Sequence, residues 1–346
     1  MITVIKLFVR AIDFFAVLWY NERPIMNPKG KNMKKTVSAV LVLCLSIILL
    51  AACGKPQKKA TDGLSVVTTI FPTYDFARNI VGENGEVTLL LKPGEESHSY
   101  EPTPQDILKI RSCDVFVYVG GESDTWVENV LKSSGNEKMQ VVTLMDCVKP
   151  IEEERREGMD GGDDDGETEY DEHIWTSPKN SALMTEKIAE AVIAADPARS
   201  EEYRSNADEY VKKLNALDAK LTDIAENSER KLLIFADRFP FLYFVREYGL
   251  EYYAAFPGCS EESEASAATV AFLINKVRDN KLPYVMTIEM SAGKIADSIC
   301  AETGCEKLTL HSCNNISRDE YENGETYLSI MEKNVETLKS ALGYRG

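Results

Sequence analysis

Histidine is scarce in this chain: three residues in 346, at positions 98, 173 and 311. None belongs to an HExxH helix or a Cys2His2 pattern, and no two cysteines form a CxxC pair, which argues against a helical metalloprotease motif and against a zinc ribbon. Positive charge is short as well. Lys and Arg total 39 against 56 Asp and Glu, for a net charge of −17. That excludes nucleic acid as a partner, because neutralising a phosphate backbone takes cationic side chains in excess. An acidic balance suits a protein that collects cations. A membrane span is missing too: the apolar run Val37 to Leu50 would rise only about 21 Å as a helix, short of the roughly 30 Å hydrocarbon core.

That run has a different use. From Met33 the chain reads MKKTVSAVLVLCLSIILLAAC, a basic start at Lys34 and Lys35, an apolar stretch, and then Leu50-Ala51-Ala52-Cys53. This resembles the lipobox of a bacterial lipoprotein, in which cleavage leaves a lipid-modified Cys53 as the new N-terminus. Met1, Met26 and Met33 are the candidate starts. Residues 1–53 are thus an extension and signal, and residues 54–63 a polar tether. Six cysteines remain beyond Cys44 and Cys53, an even number that allows disulfides, and the pairing expected is Cys259 with Cys313.

Downstream, runs rich in β-branched residues alternate with helical patterns, the mark of parallel βαβ units. Leu64 to Ile70, Val87 to Leu91, Val115 to Val119 and Val141 to Leu144 read as strands. Helices are expected at Thr73 to Val81, Thr103 to Arg111 and Asp124 to Lys132, the second opened by a capping Thr103 before Pro104. Residues 152–172 then carry twelve acids against two arginines. Such a run repels itself and is expected to be a mobile loop. From Pro178 to Asn227 little interrupts a helical pattern except Pro197. Apolar residues at 203, 207, 210, 214, 217, 221 and 224 describe one helix of about 45 Å, a stiff connector. The second half repeats the alternation, with strands at Lys231 to Ala236, Glu251 to Ala255, Tyr284 to Ile288 and Lys307 to Leu310. Its helices are expected at Phe239 to Tyr248, Glu264 to Asn280, Ala292 to Thr303 and Tyr321 to Leu342. The plan is an α/β protein of two parallel-sheet lobes, 64–177 and 229–346, joined by linker helices over 178–228.

Ligands of open α/β sheets bind beyond the carboxyl ends of the strands. His98 follows the strand ending at Leu91, His311 follows Leu310, and His173 stands near the junction of the halves. The three are therefore expected to meet between the lobes and to hold a transition metal: zinc first, and manganese where carboxylates complete the shell. An imidazole must shed its proton to ligate, so affinity should fall below about pH 6.5.

Several long stretches carry a resemblance: TTIFPTYDFARNI, PGEESHSYEPTPQDI around His98, CDVFVYVGGESDTWVENVL, DEHIWTSP around His173, DRFPFLYFVREYGL and YLSIMEKNVETLKSAL. From about Leu64 onward the chain is similar to the zinc- and manganese-binding solute-binding lipoproteins of ABC importers, the ZnuA/TroA-like family. The resemblance implies a periplasmic-binding-protein-like fold, a metal between two lobes joined by one rigid helix, and delivery to an ABC transporter permease. It implies a monomer outside the cytoplasm, held at the membrane by its lipid, with no reaction catalysed. His98 and His173 match the family's first two ligands, and His311 falls where relatives carry an acidic last ligand. At the third ligand position relatives have His or Glu, and this chain has Arg238, which has no lone pair to offer. Asp237 and Glu289 are the acids that could substitute. The alternatives are a secreted zinc-dependent hydrolase, since three histidines and an open position are also a catalytic arrangement, and a surface protein serving in cell adhesion.

Overall fold

The computed structural model describes residues 63–160, 169–260 and 264–346. The signal segment, Cys44, Cys53 and the tether lie outside the described residues, as does the middle of the acidic run. Among the described residues no helix is long and apolar enough to cross a membrane.

The first half runs β1 (Leu64–Thr68), α1 (Phe71–Val81), β2 (Gly85–Leu89), α2 (Pro104–Ser112), β3 (Val115–Tyr118), α3 (Trp126–Ser134) and β4 (Gln140–Thr143). Its strands form a parallel sheet in the order β2-β1-β3-β4. Next come α4 (Pro178–Ala195), a single 3-10 turn at Pro197–Arg199, and α5 (Ser200–Asn227). The second half runs β5 (Leu232–Phe239), α6 (Leu242–Tyr248), β6 (Glu251–Pro257), α7 (Ala267–Asp279), β7 (Tyr284–Thr287), α8 (Lys294–Thr303), β8 (Glu306–Thr309), α9 (Arg318–Glu322) and α10 (Tyr327–Leu342). Its parallel sheet is ordered β6-β5-β7-β8. The two halves therefore repeat one topology.

Period-two alternation explains the layering. On β1 and β3, Val66, Val115 and Val117 join one core cluster, while Val67 and Phe116 join a separate one with Ile110 of α2 and Val127 of α3. On β5 and β7, Leu233, Phe235 and Met286 belong to the first cluster, while Ile234, Ala236 and Val285 form an outer one with Leu273 of α7 and Ile299 of α8. One core thus runs unbroken from the inner face of one sheet to the inner face of the other. Helix α5 lies within it, packed on its fellow linker helix α4, on α1 from the first half and on α10 from the second. It buries Tyr203, Ala207, Tyr210, Leu214, Leu217, Leu221 and Ile224, the seven positions its spacing predicts. Each buried Leu or Ile contributes roughly 1.5–3 kcal/mol relative to exposure, so the lobes are welded by packing rather than hung on a free hinge. At 28 residues α5 is roughly 42 Å long.

Several boundaries shift by a few residues, and three of the differences bear on the fold. Strand β2 ends at Leu89, although Leu90 and Leu91 still donate their N–H groups to Thr68 and Thr69 at 2.9 and 3.0 Å. Strand β5 runs past Ala236 to Phe239 through a register shift between Phe235 and Arg238, and Pro240 postpones α6 to Leu242. The helix expected over Tyr321 to Leu342 is two helices, because Gly324 sits at φ 77° and Thr326 starts α10 with its own capping box.

Candidate metal centre

His98 rides on the long loop between β2 and α2. The capping box at the loop's end forms as expected: Asp106 N–H donates to Thr103 Oγ1 at 3.3 Å, and Thr103 N–H donates to Asp106 Oδ2 at 3.1 Å. The loop's beginning is tied across the cleft to the second half. Gly94 N–H donates to the Ile316 carbonyl at 2.9 Å, Asn315 Nδ2 to the Lys92 carbonyl at 3.1 Å, and Asn314 Nδ2 to Ser97 Oγ at 2.7 Å. His98 Nδ1 lies 3.1 Å from Ser123 Oγ, which leaves Nε2 as the nitrogen available to a ligand. Burial, the neighbouring His173 and the Arg238 guanidinium hold its pKa down at about 4, so the ring is neutral and its lone pair free at physiological pH.

His173 is 1% exposed, on the turn that leads into α4. Its ring centre stands 5.5 Å from that of His98. The His173 backbone N–H donates to Asp171 Oδ1 at 2.8 Å, and its ring Nδ1 lies 3.3 Å from the same oxygen without the alignment of a hydrogen bond, so this buried nitrogen has no hydrogen-bond partner. Burial works against a charge on the ring, but the carboxylates of Asp171, Glu172 and Glu153 outweigh it and raise the pKa. Two glycines admit this arrangement. Gly121, at φ 83°, lets Glu172 approach where a Cβ would stand 2.3 Å from Oε1, and Glu172 accepts the Ser123 N–H at 3.0 Å. Gly258 lets its loop cross the His173 ring, where a Cβ would lie 3.3 Å from Cε1 and Nδ1.

Residues 152–160 and 169–172 of the expected mobile loop are pinned rather than loose, and the rest of that loop lies outside the described residues. Glu153 N–H donates to the Glu169 carbonyl at 2.9 Å, Asp160 N–H to the Ala255 carbonyl at 2.8 Å, and Arg156 Nη1 to the Tyr252 carbonyl at 3.1 Å. The Arg156 guanidinium also stacks 4.0 Å over the Tyr252 ring. Net charge missed these anchors because Arg156 docks the segment on the second half while Glu153 and Asp160 accept the N–H groups of Cys259 and Ser266.

The expected meeting of all three histidines is not what the structure holds. His98 and His173 come together, and His311 stands outside their group. The His311 backbone N–H and C=O are both taken by the Asn334 side chain of α10, at 2.9 and 2.7 Å, and its Nδ1 accepts the Cys313 N–H at 2.9 Å. These bonds turn the ring into the lobe, where Nε2 lies 3.8 Å from Glu320 Oε1. Asp237 and Glu289 do line the cleft, a cavity of about 470 Å³ that also takes in Glu96, His98, His173 and Arg238. Both acids are already engaged. Asp237 accepts from Ser291 Oγ and from Arg238 N–H, and burial raises its pKa. Glu289 accepts the Ser312 N–H at 2.7 Å and also the Ser312 hydroxyl. Arg238 reaches across to Glu96 Oε2 at 3.2 Å and to the Ser260 carbonyl at 3.3 Å.

The Cys259–Cys313 disulfide is absent, and both thiols are free. Cys313 is fully buried in the shared core, whereas Cys259 is half-buried beside His98 and His173. The thiols that do approach one another are Cys300 and Cys305, with sulfurs 3.3 Å apart. The donor atoms of His98, His173 and Cys259 lie within 4.8 Å of one another, a grouping the sequence reading missed. A signal for it existed: Cys259 follows a strand's carboxyl end, as His98 does.

Residues 66–341 match the model of the ZnuA family, described as zinc-uptake complex component A, periplasmic. The chain belongs to this family. It is 32% identical to the high-affinity zinc uptake system protein ZnuA of Bacillus subtilis over 90% of this chain and 99% of that protein. It is 31% identical to the zinc-binding lipoprotein AdcA of Streptococcus pneumoniae over 91% of this chain, and it spans 62% of AdcA's length. The crystal structure of the Zn(II)-bound ZnuA-like domain of that AdcA superposes with a TM-score of 0.69 at 29% identity, covering 81% of this chain and 99% of the domain. These relatives are zinc-binding and zinc-uptake proteins rather than enzymes, and the hydrolase alternative finds no support among them.

Proposed function

We propose that this protein captures Zn2+ outside the cytoplasm in the cleft between its two halves and delivers it to an ABC transporter permease, with Cys53 carrying the lipid that holds it at the membrane. The observation that carries the reading is the paired imidazoles of His98 and His173, 5.5 Å apart between ring centres, one held neutral and the other buried with an unsatisfied nitrogen. A buried polar atom left without a partner is costly in a folded protein, and a metal ion removes that cost. Manganese prefers oxygen donors and paired imidazoles suit zinc, so zinc is the expected cargo. The continuous core limits lobe movement, so release works through the cleft loops rather than through wide domain opening.

The test is direct binding. Chelator-treated protein titrated with zinc should take up one ion, and His98→Ala and His173→Ala should each abolish tight uptake. In a host lacking the gene, uptake of radiolabelled zinc should be restored by the native chain and by neither variant. Restoration by both variants would sink the proposal.

A further inference from the structure

In the order β2-β1-β3-β4 against β6-β5-β7-β8, strand β2 corresponds to β6. The loop leaving β2 carries His98, and the loop leaving β6 carries Gly258 and Cys259 two residues after the strand ends at Pro257. Matched edges of the two sheets thus aim one donor each at the same place, and His173 completes the group.

Cys259 is held there from both sides. Its N–H donates to Glu153 Oε1 at 2.9 Å, and the carbonyl of the next residue, Ser260, accepts from Arg238 Nη1 at 3.3 Å. Arg238 stands where the family resemblance implies a third ligand. It cannot ligate, yet it fastens the loop that presents a thiol. The independent sign that this space is meant for an ion is His173: almost fully buried, with Nδ1 unpartnered and facing the Gly258 backbone beside Cys259.

Resting on the zinc-capture reading above, we infer that Cys259 is the third protein ligand of the cargo ion, so that this chain binds zinc through two imidazoles and one thiolate. Zinc–nitrogen and zinc–sulfur bonds of about 2.0–2.3 Å put tetrahedral donors roughly 3.3–3.6 Å apart, so a group already within 4.8 Å needs to contract by about 1–1.5 Å at most. On binding, the Cys259 S–H bond breaks, its proton leaves to solvent and the sulfur lone pair forms the S–Zn bond, with no redox change. A thiolate in the set turns selectivity toward borderline and soft ions, zinc among them, and away from manganese.

X-ray absorption at the zinc edge of the reduced full chain, loaded with less than one equivalent of zinc, tests this without any variant. One sulfur neighbour at about 2.3 Å is expected, and a shell of nitrogen and oxygen alone overturns the inference. Cys259→Ala should lose that sulfur signal and bind zinc more than 100-fold more weakly. It should also release one proton fewer per ion at the same pH, and its cobalt(II) complex should lack the sulfur-to-cobalt charge-transfer band of the native chain. A variant that keeps the sulfur signal places the sulfur elsewhere, for instance at Cys300 and Cys305, and refutes the assignment. If Cys259→Ala binds zinc within threefold of the native chain while His98→Ala does not, the thiolate ligand is wrong and zinc capture stands. If the native chain binds no zinc, both fall together.

Discussion

The two lobes share a strand order but face their common cleft with different chemistry. On the first lobe's side, a neutral and lightly hydrogen-bonded imidazole at His98 stands beside His173, whose Nδ1 is unsatisfied. On the second lobe's side, Asp237, Glu289 and Arg238 are hydrogen-bonded to Ser291, Ser312, Glu96 and Ser260, the unpartnered Nε2 of His311 stands apart, and among the described residues Cys259 is the donor grouped with the histidine pair. One lobe is preorganised for a cation. The other holds itself, and holds its partner through the Arg238–Glu96 bridge. The difference teaches that proximity to the cleft does not make a carboxylate a ligand: Asp237 and Glu289 are oriented by the serines and backbone N–H groups they already accept from, whereas the unpartnered His173 nitrogen has only to be deprotonated to offer its lone pair.

The sharpest way to break this comparison is to remove the first lobe's donors. His98→Ala and His173→Ala should each lower zinc affinity by more than the roughly 10–100-fold typical of losing an outer partner, measured by competition against a chromogenic chelator. Next in size is Asp171→Asn, which keeps the shape but removes the charge that orients His173; a loss of about 10–100-fold is expected. Asp237→Asn and Glu289→Gln should change affinity less than tenfold. If either abolishes binding instead, the second lobe's acids are ligands after all and the lobes are not asymmetric toward the ion. Zinc itself should stabilise the native chain by about 2.7 kcal/mol at a hundredfold excess over its Kd. That is a rise of several degrees at roughly 2–4 °C per kcal/mol, read by calorimetry. An unchanged melting temperature would remove the capture function altogether.

Much of this architecture was legible in the sequence because it rests on repeated patterns. Seven apolar positions on α5 gave its buried face, and alternating β-branched runs gave both sheets. Single-residue features were harder to read. The strand β5 could not be followed through Asp237 and Arg238, since charge there mimics a strand end while the ladder continues past the register shift. Rarity made His311 look like His98 and His173, but which way a side chain points after a strand depends on what grips its backbone. Here Asn334, 23 residues away, decides it. Cys259 was hidden by the habit of pairing cysteines in an exported chain, although Gly258 beside it already marked a close backbone approach.

The smallest effect bears on the residue the sequence misplaced. If His311 belongs to the lobe and not to the ion, its partner Glu320 should report on folding and not on zinc. The ring of His311 and the N-terminal Ser317 of α9 hold the Glu320 carboxyl down at about 2, below the 4.5 of an unfolded chain. A depressed acid contributes stability that is present above about pH 4.5 and is lost as pH falls from there toward about 2. Glu320→Gln should therefore melt lower than the native chain near neutral pH, and the gap should close on acidification through that window. The effect stays modest because the side chain is about one-third exposed and salt screens it. Zinc affinity at neutral pH should not move. A variant that instead loses zinc while melting normally would return His311 to the metal and place the site deeper in the second lobe than His98, His173 and Cys259 define it.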